Sequence, residues 1–193
     1  MKISVLAFAA TFAFSGAATA ATIDFENYVG DDPTNLGTSF TWDGVRFSST
    51  ETMRMVRVGR GTHGFAPNDT PRTRGAFGNW FITGDFNRNT NMMLSFGSAQ
   101  SAISFDIADI DGAGRNQEEF VVEYLLGDAS VGVQRIDGTS VRGNAAITPF
   151  SFDDDLFDTV RITGTTPSGT RNIGWGLDNI TVAPILACSI MRG

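Results

Sequence analysis

Short runs of alternating apolar and polar residues, separated by clusters of Gly, Asn, Asp and Pro, fill the chain from about residue 22 onward. In Ile103-Ser104-Phe105-Asp106-Ile107 the apolar side chains Ile103, Phe105 and Ile107 fall on one face of a period-two strand. Phe120, Val122, Tyr124 and Leu126 repeat the pattern, and so do Val160 and Ile162. Further strands are predicted at Val45–Phe47, Met53–Val58, Trp80–Ile82, Met92–Phe96, Val131–Arg135 and Pro149–Phe152. Two short strands bracket all of these: Thr22-Ile23-Asp24-Phe25-Glu26 and the segment from Gly174 to Val182. Loops are expected at Asn27–Gly37, Gly59–Gly75, Asp111–Glu118 and Gly164–Thr170, where turn-forming residues concentrate. No long stretch carries helical periodicity. The pattern predicts an all-β chain: a jelly-roll-like β-sandwich of two antiparallel sheets, about ten to twelve strands in all, with the first and last strands side by side.

The first twenty residues break this pattern. Met1-Lys2 is a short positive start, Ile3–Phe14 is an apolar run, and Ala18-Thr19-Ala20 is a small-x-small cleavage motif. Together they predict a signal peptide over residues 1–20, removed so that Ala21 begins a secreted, extracellular protein. The apolar run is too short to span a bilayer. A single sandwich domain over residues 21–184 is expected to follow, with a short tail at 185–193, since no linker or repeat divides the chain.

Composition narrows the class. The residues after the leader hold 13 arginines against 21 acids, a balance of −8, and no lysine. Such a chain is a poor nucleic-acid binder, because phosphate neutralisation supplies most of that affinity. Residues 44–88 carry seven arginines against three acids, and residues 106–158 twelve acids against three arginines. These blocks either neutralise each other within one domain or let copies of the chain associate. Cys188 is the only cysteine, so no intrachain disulfide forms and burial must hold the fold.

Catalytic signals are absent. His63 is the one histidine and lies in a Gly-rich loop, no Gly-x-Ser-x-Gly elbow occurs, and no set of His and Cys matches a zinc site. A non-enzymatic protein is expected. Hard oxygen ligands are plentiful, which makes calcium the fitting cation. Asp178 in the last strand falls, by alternation, on the side of Ile180 and Val182. Buried there, its carboxylate must find a cation or basic partner. Asp24 and Glu26 from the first strand are the expected co-ligands of a structural calcium, and Arg171 is the rival partner. Asp109-Ile110-Asp111-Gly112 with Glu118 imitates part of an EF-hand loop. Ile107 stands at its first position and the preceding segment reads as strand, so an acidic surface hairpin is expected instead. Trp80, next to Asn79 and flanked by polar turns, is the candidate for stacking on a sugar at an exposed rim, although a tryptophan at a strand end more often packs inward.

Several segments carry a family resemblance: Ile23-Asp24-Phe25-Glu26, Gly44-Val45-Arg46-Phe47, Ser104–Asp111, Phe157–Ile162 and Gly176-Leu177-Asp178-Asn179-Ile180. They resemble exported β-sandwich proteins of Gram-negative bacteria that bear PEP-CTERM or VPLPA-CTERM sorting tails. The resemblance implies a jelly-roll, export, and association with extracellular polysaccharide or biofilm matrix. The chain departs from it after Val182-Ala183-Pro184: Ile185–Gly193 is too short to be the apolar span of a sorting tail, and a freely secreted protein is expected. Glycan or matrix binding is therefore the first functional expectation, self-association as a structural subunit the second, and a jelly-roll carbohydrate-active enzyme the third.

Overall fold

The computed structural model describes residues 19–58, 77–84, 90–110, 117–138, 146–166 and 174–185. Residues 1–18 of the leader, the tail beyond residue 185, His63, Arg171 and most of the Asp111–Glu118 loop lie outside the described residues. Among those described are ten strands: β1 (Ala21–Ile23), β2 (Thr34–Trp42), β3 (Val45–Arg57), β4 (Trp80–Thr83), β5 (Thr90–Ala108), β6 (Glu119–Leu126), β7 (Ala129–Asp137), β8 (Ile147–Phe152), β9 (Phe157–Thr165) and β10 (Gly176–Pro184). Every pairing is antiparallel.

The strands make a β-sandwich whose two layers share two long strands, β3 and β5. In one layer β7, β6 and β9 lead to residues 90–95 of β5, then to the first part of β3 and the end of β2. In the other, β8 pairs with residues 103–108 of β5, which pairs with β10; beyond β10 lie β1 and β4, and β4 joins the second part of β3. Met92 and Leu94 point inward in the first half of β5, and Ile103, Phe105 and Ile107 in the second. The irregularity between Ser95 and Gln100 changes the inward parity as the strand passes between layers.

Two expected pairs of strands are thus single continuous ones, β3 and β5. The expected loop at Asn27–Gly37 instead gives its last four residues to β2. An Asp43-Gly44 turn with φ of 45° and 80° closes the β2–β3 hairpin, the positive-φ pair that two-residue hairpins favour.

Between the layers lies one main core. Phe47, Leu94, Phe120, Val122, Tyr124 and Ile162 meet Phe105, Phe150, Phe152, Leu177, Ile180 and Val182. Tyr124 of β6 stacks on Phe152 of β8 with ring centres 4.1 Å apart, which ties the layers face to face. A smaller cluster of Val56, Val58, Phe77, Phe81 and Ala108 packs separately.

Candidate functional site

The first and last strands lie side by side, as expected: Ala21, Thr22 and Ile23 stand opposite Val182, Thr181 and Ile180. One edge of β10 is shared, with β1 alongside residues 180–182 and β4 alongside Leu177. Asp178 and Asn179 fall between these two partners, where β1 ends and β4 begins.

Asn179 has φ 54° and sits in a bulge of β10 against β5. Leu177 still stands opposite Ile107, and Asp178 opposite Asp106, but beyond the bulge Thr181 stands opposite Ser104. Cross-strand partners share a face. Asp178 therefore lies on the outward side with Asp106, not on the core side with Ile180 and Val182 as plain alternation predicts. The extra residue of the bulge inverts the parity.

Asp178 is nonetheless only 1% exposed. Gly78 lies over it: a Cβ built there would stand 3.4 Å from Asp178 Oδ2 and would collide with the Glu26 carboxylate. Among the described residues, neither carboxylate oxygen of Asp178 has a hydrogen-bond partner. Burial pushes its carboxyl up to about 8; the Asn179 amide draws it down without closing a hydrogen bond, and the charges of Glu26, Asp24 and Asp106 push it up further.

Glu26 lies past the end of β1, in a turn where Tyr28 N donates to Phe25 O at 2.9 Å. It reaches across to the start of β4. It accepts the backbone and side-chain amides of Asn79 and, at 3.2 Å, the backbone amide of Trp80. Burial opposes its charged form, but these three donors outweigh that and hold its carboxyl below the ordinary value. Asp24 Oδ1 accepts the Glu26 amide at 3.3 Å, and Asp24 O accepts Trp42 Nε1 at 3.0 Å. Asp106 Oδ2 accepts Asn179 Nδ2 at 2.8 Å. Asp24, Glu26 and Asp178 are thus neighbours, joined by Asp106, which the sequence did not single out. As they stand, no three acids, histidines or cysteines among the described residues form a ready metal-binding group.

The expected sugar-stacking residue is placed differently. Trp80 is 6% exposed and belongs to the main core, not to a rim. The Tyr28 ring meets it edge-on at 4.9 Å, and the Arg57 guanidinium lies 5.1 Å from its centre. Asn79 is exposed, but its amide serves Glu26. Of the expected acidic surface hairpin, Asp109 and Glu118 are buried, and residues 111–116 between them lie outside the described residues.

A second feature lies on the same outward face. Thr22, Thr181, Ser104 and Ser151 stand directly opposite one another across β1, β10, β5 and β8. Three members of the row, Thr181, Ser104 and Ser151, line a shallow groove of about 320 Å³ together with Ala102, Ala183 and Asp153. Three of the four are exposed and Thr181 is half-buried. Single strands show only that these positions are polar; the row exists only in the register.

No family model and no curated protein matches the chain. Among solved structures, a family 29 carbohydrate-binding module from Piromyces equi is 12% identical, with 91% of this chain and 97% of that one covered and a TM-score of 0.43. The lectin domain of lectinolysin complexed with Lewis B antigen is 10% identical, covering 70% and 94%, with a TM-score of 0.39. The family 32 carbohydrate-binding module of C. perfringens NanJ in complex with galactose is 12% identical, covering 78% and 98%, with a TM-score of 0.38. Likenesses of this depth say nothing of a ligand. No helix among the described residues is long and apolar enough to cross a membrane.

Proposed function

We propose that this protein is a secreted, non-catalytic β-sandwich that binds extracellular glycan or polysaccharide matrix on the outward face of β1, β10, β5 and β8. The observation that carries the reading is the register-aligned hydroxyl row Thr22, Thr181, Ser104 and Ser151 beside its groove. Neighbouring strands lie about 4.8 Å apart, so the row offers evenly spaced donors and acceptors to an extended polyhydroxylated chain. The small side chains Ala102 and Ala183 leave room for a sugar ring to approach. Asp106 and Asp153 add carboxylate acceptors along the same face. Trp80, only 6% exposed, lies outside the proposed face.

Binding to a panel of bacterial and plant polysaccharides, read by affinity electrophoresis or a glycan array, tests the proposal. Ser104 is exposed, so Ser104→Arg is expected to leave the melting temperature unchanged and weaken glycan binding at least tenfold. Failure of the wild-type protein to bind any glycan, or unaltered binding by Ser104→Arg, overturns it.

Self-association is the second reading, favoured by β7. This nine-residue strand is hydrogen-bonded on one side only among the described residues, and Val133 on it is 49% exposed. An open edge of this kind is a template for pairing with another chain. Concentration-dependent oligomers that Val133→Lys dissolves would favour this reading over a monomeric glycan binder.

A further inference from the structure

We propose that Asp178 is the anchor of a calcium site at the seam between the first and last strands, completed by Glu26 and Asp24. The structure offers a buried carboxylate with both oxygens unpartnered among the described residues, and the charges acting on it there are the further acids Glu26, Asp24 and Asp106. An ionised carboxylate left this way costs several kcal/mol, and a cation is the partner that offsets the whole group of acids at once.

The chemistry of the donors selects the ion. All are carboxylate oxygens, hard ligands that suit calcium and do not suit zinc or copper. Glu26 Oε1 and Asp178 Oδ2 both lie close to the position of a Gly78 Cβ, so the two carboxylates stand near one another. Calcium takes oxygen ligands at about 2.3–2.6 Å and tolerates irregular geometry, which lets one ion span the two. The three amides held by Glu26 leave part of its acceptor capacity free, since a carboxylate offers about four lone-pair sites. Asp24 uses only Oδ1 locally, for the Glu26 amide. Its charge acts on Asp178, which makes it the third carboxylate of the proposed site. Among the described residues no three acids stand together as a ready group, so binding at this seam includes a rearrangement of these carboxylates. Bound calcium would tie the turn after β1 to β10, closing the sandwich at its ends. None of the three proposed ligands belongs to the hydroxyl row, so calcium binding and glycan binding are read out by different substitutions.

Melting curves of the purified protein in calcium, in magnesium and in EDTA, together with calorimetric calcium titration at pH 8.5, test the inference. Calcium at a hundredfold excess over its dissociation constant is expected to raise the melting temperature by about 5–10 °C over EDTA. Asp178→Asn should abolish that rise while keeping the side-chain shape. Asp24→Asn, at a half-exposed position, should weaken calcium binding at least tenfold without threatening the fold. Identical melts in calcium and EDTA at pH 8.5, or a calcium rise that survives in Asp178→Asn, would overturn the proposal.

Discussion

Asp178 on β10 stands directly opposite Asp106 on β5, two acids paired across strands at a place where alternation alone would put one of them in the core. The bulge at Asn179 creates this pairing. Directly opposed like charges are destabilising in a sheet. Among the described residues, Asp106 is relieved by Asn179 Nδ2, while Asp178 stays buried and without a hydrogen-bond partner.

That asymmetry predicts a stability profile that declines toward alkaline pH. The Asp178 carboxyl is raised from 3.8 to about 8 in the folded protein, chiefly by burial, with Glu26, Asp24 and Asp106 adding to it. Between those values the folded state holds a proton that the unfolded state releases, so stability falls as pH rises and levels off above about 8. The slope is at most about 1.4 kcal/mol per pH unit, or about 3–5 °C in melting temperature for a domain of this size. Melts in EDTA from pH 5 to 9 should show the decline in the wild type and a flattened profile in Asp178→Asn.

Glu26 contributes with the opposite sign. Its folded value lies below the ordinary 4.5 despite burial, because Asn79 and Trp80 donate to the charged form. Its stabilisation is present above the unfolded value and is lost as pH falls through the folded one. Glu26→Ala is expected to cost about 1.5–3 kcal/mol at pH 6, the range for hydrogen bonds to a charged group. The deficit should shrink below pH 4 in urea titrations at fixed temperature.

Gly78 separates backbone strain from contact. Its φ is 57°, and a Cβ there would strike the Glu26 carboxylate. Gly37 has φ 72° with open space around it. Gly37→Ala should therefore cost only the strain, roughly 1–2 kcal/mol. Gly78→Ala should cost more, because Glu26 must also move off the start of β4. Equal losses in chemical denaturation would refute the contact.

The two layers are also pinned by a polar bridge. The Tyr124 hydroxyl donates to Gln134 Oε1 at 2.8 Å, and Gln134 Nε2 donates to Ser151 O on β8 at 2.7 Å. Tyr124→Phe is expected to cost about 1 kcal/mol. In a double-mutant cycle with Gln134→Ala the combined loss should fall short of the sum, since both changes break the same chain of bonds.

Much of the fold was legible along the chain because a strand's alternation is a local property. Ile103, Phe105 and Ile107, or Phe120, Val122 and Tyr124, declare a strand and its inward face within a few residues. What was missed has physical causes. β2 buries none of its residues fully, so its alternation is faint, although Asp43-Gly44 signals the hairpin that it shares with β3. The two halves of β5 looked like separate strands because the irregularity between Ser95 and Gln100 breaks their common parity.

The candidate site divides along the same line. By itself the sequence determined an all-β chain with acids near both ends of its sandwich, since residue type and period-two spacing are written locally. Only the tertiary structure decided which way Asp178 points, because one bulged residue inverts the face of everything before it. Tertiary packing also buried Trp80 beneath Tyr28 and Arg57, and long-range register lined up Thr22, Thr181, Ser104 and Ser151. These relations join residues far apart in the chain, and hydrogen-bond register and packing set them, not the neighbours along the backbone.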